Sequence, residues 1–112
     1  MIRIKRIYDP PASEDGRRVL VDRLWPRGIA KDAVRLDDWL KEIAPSDELR
    51  KWFGHDPAKW EEFRERYRAE LQSHAETLAT LRVTAKKGTV TLLYGAKDEE
   101  HNNAMVLKEL LD

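Results

Sequence analysis

The sequence predicts an α/β fold, a small three-layer Rossmann-like sandwich with a short parallel or mixed sheet flanked by helices. Three features point there. Short runs rich in β-branched residues are separated by charged segments of helical period, and the C-terminal half reads strand, helix, strand, helix. At 112 residues the chain has room for one core, so residues 1–112 form a single α/β domain.

The elements follow in order. "IRIKRIY" is rich in isoleucine and predicts a first strand from Ile2 to Tyr8, ended by "DPPASEDG". "RRVLVDRLW" predicts a second strand buried on both faces. "AVRLDDWLKEIAP" has helical spacing in places, stops at Pro45 and reads equally as partly extended. Ser46 is the N-cap and Gly54 the C-cap of a short helix over "DELRKWF". Asp56 caps the next, with Pro57 at its first position and one apolar stripe of Trp60, Phe63, Tyr67 and Leu71. Ser73 and Glu76 fit a capping box, predicting a break and a new helix that carries Leu78, Leu81 and Ala85 and ends at Gly88. "TVTLLYGA" supplies a third strand, and the closing helix is expected to begin after Asp98 or Glu99.

Composition removes several functions. Lys and Arg number 21 against 21 Asp and Glu, so net charge is +0 and bulk electrostatic binding of nucleic acid is not indicated. Only a local basic patch would serve. The absence of cysteine rules out a disulfide framework, a thiolate nucleophile and a thiolate zinc site. No apolar run is long enough for a bilayer span and "MIRIKRIYDPP" lacks a signal-peptide pattern, so a cytoplasmic protein without membrane association is expected. No phosphate-cradling glycine motif, His-x-x-x-His pair or nucleophile elbow occurs, so no metal is assigned and the cofactor stays unknown.

Ligands of open α/β sheets bind beyond the carboxyl ends of the strands, which singles out two loops. In "VDRLWPRG", Asp22 ends a buried strand and needs a partner, for which Arg23 or Arg27 is available; a structural ion pair explains the same residues. The two arginines would otherwise form a fork for phosphate or carboxylate, with Trp25 as a stacking face. In "YGAKDEEHNN", Tyr94 closes the strand, Lys97 adds charge near the free N–H groups expected at the helix start, and Asp98 reads as a plain N-cap. His101 is the candidate proton carrier, with Asp22 or Asp98 orienting it. Asn102 and Asn103, poor helix formers in tandem, must bond to a ligand or to the other loop. His55 and His74 are given no role.

Taken with "IKRIYDP" and "ELRKWFGHDP", the stretches "VLVDRLWPRG" and "LLYGAKDEEHNN" resemble the YeaO-like branch of the domain of unknown function 488 family over almost the entire chain. The resemblance implies a bacterial or archaeal Rossmann-like α/β domain and supplies no activity. Longer relatives look alike at Asp22, Arg23, Pro26, Lys97 and Asp98. Where they carry a Cys-His-Arg run, this chain reads Asn102, Asn103 and Ala104, with His101 two positions away, so a thiol- or arginine-dependent reaction does not carry over.

The expected function is therefore binding of an anionic small molecule, nucleotide or nucleic-acid end between the Asp22–Gly28 and Tyr94–Asn103 loops. Whether chemistry follows is left open. The alternative is a non-catalytic interaction module using a surface aromatic such as Trp39 or Trp52.

Overall fold

Every residue of the strand Val90–Tyr94 is buried, because it lies between two neighbours and under two layers of chain. The computed structural model describes residues 1–112. Its strands are β1 (Ile2–Arg6), β2 (Arg17–Leu20), β3 (Asp38–Trp39) and β4 (Val90–Tyr94), all parallel in the order β1-β4-β2-β3. Ile2 and Arg17 both pair with Val90, so β1 and β2 enter the sheet level with one another.

The helices are α1 (Asp47–Phe53), α2 (Trp60–Leu71), α3 (Ala75–Lys87) and α4 (Asn103–Leu111). One face of the sheet, formed by Ile2, Val19, Val21, Val90, Leu92 and Tyr94, packs into a single core with their apolar stripes. Leu20, Leu93 and Ile7 point to the other face, covered by Trp25, Ile29, Val34, Leu36 and Trp39. The third layer of this α/β sandwich is thus mostly irregular chain drawn from the β2–β3 connection. No helix is long and apolar enough to cross a membrane.

The irregular layer also covers a buried ion cluster. Arg18, fully buried on β2, donates from Nη1 to Asp15 Oδ2 at 2.5 Å and from Nε to the Arg35 carbonyl at 2.6 Å. Asp15 also accepts from Lys5 Nζ and from the Ala12 N–H, while Thr91 Oγ1 donates to its carbonyl at 2.7 Å. Only Arg18 Nη2 lacks a partner. Burial alone would raise the Asp15 pKa, but the Ala12 N–H and the two cations outweigh it and bring it down to about 2. Gly16 makes the turn into β2 with φ 62°, and a Cβ there would lie 2.3 Å from the Thr89 carbonyl oxygen.

Several boundaries differ from the sequence expectation. The first strand ends at Arg6, although the Ile7 N–H still donates to the Tyr94 carbonyl. Residues 33–45 hold no α-helix: Asp38–Trp39 adds an edge strand to β2, and a 3-10 turn follows at Lys41–Ile43. Ser46 and Gly54 cap α1 as expected. The Ser73–Glu76 capping box does not form. Ser73 Oγ donates back to the Glu70 carbonyl, and a 3-10 turn at Gln72–His74 joins α2 to α3 with little interruption.

Candidate functional site

Because β2 and β4 are neighbours and parallel, the chain leaving each emerges at the same edge of the sheet. A cavity of about 320 Å³ opens there, lined by Asp22, Arg23, Leu24, Trp25, Pro26 and Arg27 after β2 and by Gly95, Ala96, His101, Asn102 and Asn103 after β4. A third wall comes from Pro45, Arg50, Phe53, His55 and Phe63, contributed by the α1–α2 region. The two loops singled out by the sequence therefore share one hollow.

Asp22 ties them together. Its Oδ2 accepts the Gly95 N–H at 2.8 Å and its Oδ1 accepts from Asn103 Nδ2 at 3.1 Å, while the same amide nitrogen donates to the Val21 carbonyl at 2.8 Å. The expected ion pair with Arg23 or Arg27 is absent. Arg23 instead donates from Nε to the Pro45 carbonyl and from Nη2 to the Ala44 carbonyl, because the turn after Ile43 brings those oxygens beside it. Arg27 is exposed at the rim and its side chain has no acceptor; only its carbonyl is engaged, by Tyr8 Oη at 2.9 Å. Burial raises the Asp22 pKa; the Gly95 N–H, the Asn103 amide and the charge of His55 work against that rise. Gly95 allows the approach: a Cβ there would sit 3.1 Å from Asp22 Oδ2.

The second loop departs most from expectation. Its helix begins at Asn103, and the N-cap is Asn102, whose Oδ1 accepts from the Met105 N–H at 2.9 Å. Asn102 Nδ2 donates to the Asp98 carbonyl, so this buried amide is occupied by its own helix start. Asp98 does cap, but it caps a turn, accepting the N–H groups of Glu100 and His101 on Oδ1. The Glu100 N–H first, then the bonded His101 ring and the His101 N–H, hold its carboxyl below the usual range. The helix start expected beside Lys97 is thus displaced to Asn103, and Lys97 is exposed and does not line the cavity.

Of the other named residues, His101 places Nδ1 2.9 Å from Asp98 Oδ2 and stands edge-on to Trp60 at 5.2 Å. Asp98, not Asp22, is its orienting partner. Tyr94 faces the helical core and is not in the cavity wall; burial raises its pKa. Trp25 lines the hollow, yet its indole N–H donates to the Ile29 carbonyl and its ring meets Trp39 edge-to-face at 5.2 Å. Trp39 and Trp52 are engaged as well, Trp39 by Lys41 and Trp52 by Lys59 and Arg66 over their rings.

Sequence inspection missed Arg50, Phe53, His55 and Phe63. His55 follows the C-cap Gly54 and is the one non-glycine residue with positive φ, 57°. A polar ring between a helix stop and a helix start is the only local sign of it.

Fold and hollow together define a small parallel α/β domain with an arginine-rimmed hollow at the carboxyl ends of its central strands. The family described as "Inactive DUF488-N3 subclade" matches residues 1–112, and the chain belongs to it. It is 51% identical over 110 residues to "Uncharacterized protein YeaO" of Escherichia coli (strain K12), covering 98% of this chain and 96% of that protein. An uncharacterized protein of Mycobacterium tuberculosis (strain ATCC 25618 / H37Rv) is 42% identical over 111 residues, covering 99% and 93%. No solved structure matches the chain.

Proposed function

We propose that the hollow binds an anionic small molecule, nucleotide or nucleic-acid end, and holds it without converting it. The observation that carries this is the imbalance of charge in its lining: Arg23, Arg27 and Arg50 against a single carboxylate, Asp22, which pairs with none of them. Arg23 and Arg27 have no carboxylate partner and Arg50 has only Asp47 at 3.5 Å, and guanidinium groups so lightly answered are suited to bidentate capture of phosphate or carboxylate. The apolar faces of Phe53 and Phe63 beside them suit the body of an organic ligand.

Binding without turnover agrees with the description of the family as inactive and with the want of a thiol where longer relatives carry one. His101 is oriented by Asp98 and available as a proton carrier, but no serine, threonine or cysteine lines the hollow with it. The interaction-module alternative is weaker, since Trp39 and Trp52 are covered by the protein's own cations.

The test is thermal or chemical unfolding of the full chain with a panel of phosphate-bearing compounds. A ligand at a hundredfold excess over its Kd stabilises the fold by about 2.7 kcal/mol. Arg27→Ala removes that gain with the unliganded fold intact, whereas Lys97→Ala leaves it. If no compound gives a saturable shift and the mass instead grows with concentration, the hollow is not an anion site and the domain is an interaction module.

A further inference from the structure

Asp22 is out of place in a receptacle for a bare anion. A carboxylate there repels the ligand that the arginines attract, and its burial is costly unless something donates to it. Its two oxygens offer about four acceptor positions. The Gly95 N–H and Asn103 Nδ2 fill two, both are neutral, and no cation pairs with it although three guanidinium groups line the same hollow. Asn103 adds a second unused acceptor: its Nδ2 is committed to Val21 and Asp22, while its Oδ1 has no protein donor. Two acceptors with spare capacity thus sit on the more buried side, and two exposed arginines sit at the mouth. Arg27 has no acceptor, and Arg50 has only a long 3.5 Å contact to Asp47.

We infer that the hollow selects a two-ended ligand, one that presents a phosphoryl group to Arg27 and Arg50 and hydrogen-bond donors, a hydroxyl pair or an amino group, to Asp22 and Asn103 Oδ1. This rests on the anion-binding reading above and narrows it. Size narrows it again. About 320 Å³ stands at the lower end of ligand cavities and admits one sugar phosphate or one mononucleotide, not a dinucleotide. Discrimination comes from the floor: a ligand lacking donors leaves two half-buried acceptors facing an apolar or anionic surface and cuts them off from water once it is seated.

Calorimetric titration of the full chain with four probes separates the possibilities: inorganic phosphate, ribose 5-phosphate, adenosine 5′-monophosphate and adenosine. At least one organic monophosphate is expected to bind about tenfold or more tighter than both inorganic phosphate and adenosine. Ribose 5-phosphate matching the nucleotide assigns the donors to sugar hydroxyls; the nucleotide alone assigns them to the base. Asp22→Asn is expected to cost the favoured ligand about tenfold while inorganic phosphate binds as before or tighter. Asn103→Ala, which spares the Asp22–Gly95 bond, gives the same pattern if Asp22→Asn does not fold. Inorganic phosphate binding as tightly as every organic phosphate, with both variants shifting all probes equally, overturns the two-ended ligand and keeps the anion site. Failure of every phosphate-bearing probe removes both.

Discussion

Asp15 and Asp22 are two aspartates at the two ends of strand β2, and they have opposite environments. Asp15 is met by two cations and a backbone N–H, and its pKa falls to about 2. Asp22 is met by two neutral donors, and its pKa rises, burial leading. Both lie near arginines in sequence and in space. The difference is where those arginines point: Arg18 turns into the sheet's covered face toward Asp15, whereas Arg23 turns away from Asp22 to backbone carbonyls. A carboxylate fully answered from inside the protein is structural. One left short of partners beside an open cavity is placed for something else.

The largest effect expected from this contrast is on stability. Asp15→Ala leaves fully buried Arg18 with no counter-charge, and breaking a buried pair this way costs about 3–5 kcal/mol. Asp22→Ala strips acceptors from two neutral donors that border a cavity water can enter, and it also removes a desolvated charge; about 1 kcal/mol is expected. Urea unfolding of the two variants, compared at unchanged m, measures both. Adding Arg18→Met to Asp15→Ala should recover part of the loss, since the orphaned charge is then gone. Equal losses at the two positions would dissolve the distinction.

The same contrast shows how far the sequence can be read. Convergence of the Asp22 and Tyr94 loops was legible, because two buried runs ending in polar residues need only be adjacent parallel strands for their tails to meet. The real ion pair was not. Asp15 and Arg18 are three apart across the Gly16 turn, not on a helix, and Arg18 is buried only because the 24–37 segment folds over it. The start of α4 was misplaced because Asp98, Glu99 and Glu100 carry the composition of a first helical turn. The tandem asparagines did signal bonded amides: Asn102 caps the helix, and Asn103 holds the strand end through Nδ2. His55 was invisible for another reason. Gly54 and Asp56 explain the turn locally, and only the placement of α1 and α2 over the strand ends brings the imidazole to the cavity.

Acid titration gives the next effect. With its pKa near 3.8 when unfolded and about 2 when folded, Asp15 adds roughly 2 kcal/mol that is complete above about pH 5 and lost as pH falls toward 2. Asp22 has the reverse sign: its raised pKa favours the protonated carboxyl in the folded state, so its contribution declines as pH rises through the folded value. Unfolding free energy measured from pH 2 to 7 should therefore lose its steep acid limb in Asp15→Asn and keep it in Asp22→Asn. A steep limb that survives Asp15→Asn would mean other carboxylates carry the acid sensitivity.

The smallest effect concerns His55, which sits at φ 57° directly after Gly54 at φ 52°. Two successive left-handed residues reverse the chain between α1 and α2 and present the imidazole to the cavity. A side chain in that region costs about 1 kcal/mol, less for histidine than for a branched residue, and the caps come from Gly54 and Asp56, leaving the exposed ring only a tilted contact with Phe53 at 6.2 Å. His55→Gly should thus hold stability level or raise it by about 0.5 kcal/mol, the relief being partly offset by the greater freedom of glycine when unfolded. Anion affinity should fall, because the wall loses a polar ring whose charge already acts on Asp22. Stability and binding moving in opposite directions on one substitution would mark His55 as kept for the ligand. A loss of stability with unchanged binding would instead make it an ordinary turn residue.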